Sequence, residues 1–155
     1  MQPETINGGI AVDDRGSVRF VNDFDFTDVK RFYQVENHRV GFIRAWHGHY
    51  KEAKYVYIPR GAALIGAVSL EYYQQLDMPG IGTVPGDLYN KPFKVVLSDK
   101  KPQVLYIPAG YANGFKTLEP NTIIQFFSTS TLEDTLNDDI RYDYNNPNIW
   151  DEEFR

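Results

Sequence analysis

The chain contains no cysteine among its 155 residues, which excludes disulfides, thiolate metal sites and thiol nucleophiles. Histidine is scarce, with three copies, and methionine and tryptophan have two each. No basic run appears, and a formal charge of −5 with a sequence pI near 5.1 argues against broad nucleic-acid binding. No apolar run approaches the roughly 18 residues that a membrane-spanning helix requires. The opening MQPETINGG has neither a basic segment nor an apolar stretch, so no signal peptide is expected there. A cytoplasmic protein with one domain over residues 1–155, touching neither membrane nor nucleic acid, is the resulting expectation.

Aromatic side chains are abundant, at 15% of the chain, with 11 tyrosines and 10 phenylalanines. Such residues suit pleated, half-buried surfaces, and strand-like runs recur between turn formers. Ser17–Asn22, Lys54–Ile58, Ala63–Leu70, Phe93–Leu97, Gln103–Ile107 and Thr122–Ser128 read as strands. Ile-Pro followed by glycine occurs twice, at Ile58, Pro59, Gly61 and at Ile107, Pro108, Gly110, as two similar turns would require. The pattern predicts an all-β antiparallel sandwich or barrel, of the double-Greek-key jelly-roll type, with one or two short helices. One helix is expected over Phe26–Tyr33 with Thr27 as its N-cap. The Gly- and Pro-rich segment 78–91 is expected to be a surface loop. The acidic stretch from Glu133 to Asp139 reads as a solvated face.

The most informative segment is Gly41–Tyr50, GFIRAWHGHY, which holds two of the three histidines. In a strand, His47 and His49 project to the same side, and Gly48 between them is expected to leave room beside them. Two imidazoles facing one cavity serve either a metal or proton transfer. Gly41, five residues and His47-x-His49 resemble the first cupin motif, and Pro108-x-Gly110-x-x-Asn113 resembles the second. Asn113 stands where metal-binding cupins place a histidine, and a neutral amide is a poor ligand for zinc or iron. No metal or other cofactor is therefore expected. A cupin using His47, His49 and Glu52 as metal ligands is the reading set aside.

Six blocks in order resemble the dTDP-4-dehydrorhamnose 3,5-epimerase family and its relatives that act on nucleotide-linked 4-keto sugars. They are Asp13-Asp14-Arg15-Gly16, Gln34-x-x-Asn37-His38, Gly41 through Arg44 and Trp46 to His47, Lys54-Tyr55-Val56, Ile107 through Phe115, and Ile140-Arg141-Tyr142-Asp143. The resemblance implies a homodimer whose partner contributes the Arg15 segment, and a nucleotide-sugar substrate, dTDP-linked. It implies a chemistry in which His47 removes a proton beside the ketone, assisted by His49 or Asp143. Histidine suits that task because its pKa lies near working pH. Lys54 is implied to meet the charge of the enolate. Arg15 and Arg44, whose planar forks match phosphate oxygens, are implied to hold the diphosphate, with Gln34, Asn37, Asn113 and Gln125 as further substrate contacts.

Two departures from the family pattern bear on the reaction. The family's acid on the opposite face of the sugar is a tyrosine within a segment resembling Thr122–Ser130, which here contains none; Gln125 or Phe126 falls at its place. Tyr111 is a candidate substitute. His49 stands where the family has glutamine, and the resulting His-x-His is similar to the sugar 3,4-ketoisomerases. The readings carried forward are an epimerase acting at carbon 3 or at carbons 3 and 5, a 3,4-ketoisomerase using both histidines, and a non-catalytic sugar-nucleotide binding protein.

Overall fold

A computed structural model describes residues 1–76 and 91–155. Two five-stranded antiparallel sheets pack face to face. The first runs β1 (Glu4–Asn7), β9 (Gln103–Ile107), β6 (Lys54–Arg60), β11 (Ile123–Ser128), β4 (Arg31–Glu36). The second runs β12 (Ile140–Arg141), β5 (Ile43–His49), β10 (Tyr111–Thr117), β7 (Ala62–Ser69), β8 (Phe93–Ser98). β2 (Gly9–Asp13) and β3 (Gly16–Phe20) form a separate two-stranded hairpin. The helices are short: α1 (Leu70–Leu76), and α2 (Leu132–Leu136) capped by Thr131.

Alternation along each strand explains the packing. Val56 and Ile58 of β6, Ile65 and Ala67 of β7, Leu105 and Ile107 of β9, Phe115 of β10, and Ile124 and Phe126 of β11 form one buried cluster between the sheets. A second cluster covers the outer face of the β5 sheet. There Trp46 packs on Trp150 with ring centroids 5.0 Å apart, and Tyr73 stacks on Tyr142 at 3.6 Å. Trp46 Nε1 donates to Pro147 O and Trp150 Nε1 to Tyr144 O, so the C-terminal segment is tied down as an outer cover.

All six expected strands lie within a residue or two of β3, β6, β7, β8, β9 and β11. Both Ile-Pro turns carry their glycine at positive φ, +90° at Gly61 and +87° at Gly110, which a side chain would strain. The helix expected over Phe26–Tyr33 does not form. Asp25 Oδ1 accepts from the backbone N–H and hydroxyl of Thr27, making a local turn, and from Arg31 the chain alternates as β4. The loop expected over 78–91 lies outside the described residues except for its last position.

Candidate functional site

Register brings the singled-out residues of β5 and β10 together. His47 lies opposite Asn113 and His49 opposite Tyr111, and the β7 partners of those two, Ala67 and Ser69, continue the rows. Tyr111 packs against the cluster between the sheets, so this face looks inward. Gly48 faces the other way. A side chain there would meet Leu70 at 2.8 Å and Tyr142 at 3.3 Å, so the glycine makes room for the outer cover rather than for the histidines.

The facing wall belongs to β6, β11 and β4. Lys54 shares its strand face with Val56 and Ile58 and is 6% exposed. Its ammonium stands 5.7 Å from the Tyr33 ring centre and 5.6 Å from that of Phe126, within the range of cation–π attraction. Tyr33 and Phe126 are register partners stacked 5.1 Å apart. Among the described residues no carboxylate pairs with Lys54. A buried ammonium with no carboxylate beside it favours the approach of an anionic group. Its charge reaches both imidazoles across the gap and, with burial as the larger cause, pushes each toward the neutral form.

The two histidines differ in their partners. Arg141, held by Asp139 at 2.9 Å, directs a guanidinium N–H at His47 Nε2, 3.4 Å away. A guanidinium has no lone pair, so His47 Nε2 accepts. Burial first, then Arg141 and Lys54, hold the His47 pKa down to about 4. His49 Nδ1 is 2.6 Å from the carbonyl oxygen of Asp138, which can only accept, so the proton is on Nδ1 and Nε2 carries the lone pair. Nε2 is buried and, among the described residues, has no hydrogen-bond partner. On the Nδ1 side Glu52 Oε2 lies 3.4 Å away.

The acidic stretch read as a solvated face is exposed at Glu133 and Asp134, as expected, but its end, Asp138 and Asp139, reaches the histidines. Asp138 supplies the carbonyl that sets the His49 tautomer, and its carboxylate accepts from the backbone N–H groups of Tyr50, Lys51 and Glu52 at 2.8–3.1 Å. Asp143, expected beside a histidine, instead lies exposed and accepts from Asn145 N at 2.9 Å. The carboxylate whose charge reaches His47 is Asp139.

Other expected residues are distributed over the molecule. Asn113 is buried on the inner face, its amide 3.4 Å from His47 O. Gln34 and Gln125 bond each other at 2.8 Å on the outer face of their sheet, because Tyr33 and Phe126 take the inward positions beside them. Arg44 and Asn37 are joined by a 2.8 Å bond toward the far end of β5, with Arg44 roughly 10 Å along the strand from His47 by strand rise. Arg15 lies at the tip of the β2–β3 hairpin, exposed and paired with Asp13 at 2.5 Å. Glu52 sits on the hydrogen-bonding side of His49, and among the described residues no three His, Cys, Asp or Glu side chains are grouped to hold a metal ion. Tyr33 was not singled out from the sequence. The signal that finds it is the β4–β11 register, which single-strand patterns do not contain.

Comparison with known proteins bears on this arrangement. Residues 82–152 match the family model described as dTDP-4-dehydrorhamnose 3,5-epimerase. The chain resembles that epimerase family. No curated protein sequence matches it. Among solved structures, the rmlC epimerase of Mycobacterium tuberculosis is similar with a TM-score of 0.69 at 20% identity, over 90% of this chain and 68% of that one. ChmJ, a 3'-monoepimerase from Streptomyces bikiniensis in complex with dTDP-quinovose, gives 0.72 at 16%, over 99% and 79%. QdtA, a sugar 3,4-ketoisomerase from Thermoanaerobacterium thermosaccharolyticum in complex with TDP, gives 0.63 at 16%, over 91% and 88%. The jelly-roll fold of these enzymes is the fold of this chain.

Proposed function

We propose that the chain is an epimerase or isomerase of a nucleoside-diphosphate-linked 4-keto-6-deoxy sugar, dTDP-linked, working by proton transfer beside the ketone. The observation that carries this reading is a buried ammonium facing two neutral imidazoles across one inner face. A carbon beside a ketone loses its proton to a neutral imidazole, and the electron pair moves onto the ketone oxygen. Lys54 meets that oxygen, a contribution typically worth about 2.7–4 kcal/mol. Asn113 and Tyr111 line the imidazole wall. The pocket works without a metal or other cofactor.

Inversion needs a proton delivered from the opposite side of the sugar. Tyr111 stands on the same sheet as the imidazoles, whereas Tyr33 stands on the facing sheet beside Lys54, and it takes the acid role in this reading. Arg15 serves the diphosphate from the hairpin of a neighbouring copy, and Arg44 with Asn37 serves the nucleotide end. The protein is then a homodimeric cytoplasmic enzyme supplying modified sugars for polysaccharide synthesis. A 3,4-ketoisomerisation is the second reading, favoured by His49 on the same face as His47 where the epimerases have glutamine.

Incubation with dTDP-linked 4-keto-6-deoxyhexoses in deuterated water, followed by NMR, separates these. Deuterium at carbon 3 alone or at carbons 3 and 5 with inverted product supports epimerisation, and a 3-keto product supports ketoisomerisation. Tight dTDP binding with no exchange at any carbon leaves a binding protein and overturns the enzymatic reading.

A further inference from the structure

Arg31 has no part in the functional reading above, yet register places it on the facing wall. Arg31, Ser128 and Lys54 form one row across β4, β11 and β6, next to the row of Tyr33, Phe126 and Val56. Arg31 and Tyr33 share a strand face, and the guanidinium carbon lies 4.9 Å from the Tyr33 ring centre. The same ring stacks on Phe126 at 5.1 Å with the planes 14° apart, and the Lys54 ammonium stands 5.7 Å from it. Tyr33 is half-buried, and its hydroxyl has no hydrogen-bond partner among the described residues. The pose of Arg31 is a poor one for an ion pair, since guanidinium and carboxylate commonly meet through two parallel bonds. Here one nitrogen, Nη2, serves both Thr135 Oγ1 at 3.0 Å and Glu52 Oε1 at 3.5 Å, while Nε is buried without a partner among the described residues. With a donor left unused, the guanidinium follows the phenol ring rather than the carboxylate.

We propose that Arg31 is the positioning residue for Tyr33 in the inverting step, and that Thr135 of α2 anchors it there. This rests on the functional reading above, in which Tyr33 takes the acid role. In that step the Tyr33 O–H bond breaks and its proton goes to the enolate carbon on the face opposite the imidazoles. The enolate's electron pair forms the new C–H bond, and the ketone re-forms as its oxygen gives up the charge. The negative charge passes to the Tyr33 phenolate, whose ring faces Arg31 and Lys54, and the phenol regains a proton from water afterwards. A guanidinium stays charged throughout and has no lone pair to offer, so Arg31 acts only through Tyr33, by fixing the ring and meeting the phenolate charge. Lys54 serves both halves of the reaction, first the enolate and then the phenolate. Arg31 serves the second half alone.

That division of labour is what the experiment reads. A dTDP-4-keto-6-deoxyhexose is incubated in deuterated water, and deuterium entering the substrate is measured separately from inverted product, with dTDP affinity and thermal melting as controls. Arg31→Gln is expected to lower inverted product about tenfold while deuterium entry stays within about threefold of wild type. Arg31→Lys, which returns a cation to the ring, recovers most of the lost inversion. Equal falls in deuterium entry and inversion, as a merely structural role would give, overturn the proposal, and so does inversion unmoved in Arg31→Gln. Arg31→Gln also takes a cation from Glu52; should it not fold, Thr135→Val decides, because it keeps every charge and removes only the anchor. It should lower the ratio of inverted product to deuterium entry about threefold, and an unchanged ratio overturns the proposal. Wild-type protein with no exchange on any such sugar overturns the functional reading, and the proposal with it. Wild-type exchange without inversion, or inversion indifferent to Arg31, overturns the proposal alone.

Discussion

At the scale of single residues, two imidazoles of one strand face have been given different partners, and pH exposes the difference. The His47 pKa is depressed to about 4 by burial, Arg141 and Lys54, against an ordinary value of 6.5. A group lowered in the folded state contributes stability that is complete above its ordinary pKa and is lost as pH falls through the folded value. Thermal melts are expected to drop between pH 7 and pH 4, and the drop should be smaller in His47→Gln; an identical drop would mean that His47 is not held neutral in the fold. Tyr33→Phe makes a separate test on the facing wall. It should abolish inverted product while deuterium still enters the substrate with retention, because the imidazole can return the proton it took. Continued inversion by this variant would remove Tyr33 from the acid role. His47, His49 and Lys54 were legible from the sequence, since strand period alone puts the first two on one face and Lys54 with Val56 and Ile58 on another. Tyr33 was not, and Glu52 was named only as a ligand in the metal reading that was set aside. What brings them beside Lys54 and His49 is a cross-strand register in one case and a three-partner buried network in the other, and neither leaves a local pattern.

Among the elements, β5 and the segment around β12 depend on each other. Trp46 and Tyr142 exchange backbone hydrogen bonds at 3.0 Å, Arg141 pairs in register with His47, and Gly48 lets Leu70 and Tyr142 close over the strand. Gly48→Ala puts a methyl 2.8 Å from Leu70 Cδ2 and 3.3 Å from Tyr142, and overpacking of this kind costs about 1–3 kcal/mol. A melting temperature lowered by roughly 2–12 °C is expected, together with weakened exchange, since Asp138, Asp139 and Arg141 ride on the displaced segment. An unchanged melting temperature would show that the outer cover does not press on β5. Sequence reading placed the strands well where apolar residues alternate between Pro and Gly, as in β6 and β9. It failed at β4, where Arg31, Gln34 and Glu36 hide the alternation of Tyr33 and Val35. It also took Asp138, with the exposed acidic residues before it, for a surface, because charge in sequence does not reveal backbone N–H groups waiting to be capped.

For the whole molecule, the β2–β3 hairpin belongs to neither five-stranded sheet. Its Val12 and Val18 are 73% and 65% exposed, and Arg15 at its tip pairs with Asp13 beside it. A dimer in which this arm lies on a second copy would cover the valines and deliver the guanidinium to a diphosphate. Sedimentation velocity should then give twice the 17.9 kDa chain mass, with Val12→Asp/Val18→Asp shifting it to one chain and weakening dTDP binding. A single-chain mass for the unaltered protein at all concentrations would refute that arrangement. The account as a whole depends on an ammonium from one sheet and an imidazole from the other acting on the same carbonyl. The most direct measurement is the rate of solvent-deuterium entry beside the ketone of a dTDP-4-keto-6-deoxyhexose in wild type, Lys54→Met and His49→Gln. Losses of about 10² to 10³ in Lys54→Met and at least as large in His49→Gln, with dTDP affinity retained, are the expected result. Exchange that persists at the wild-type rate without the ammonium would contradict it.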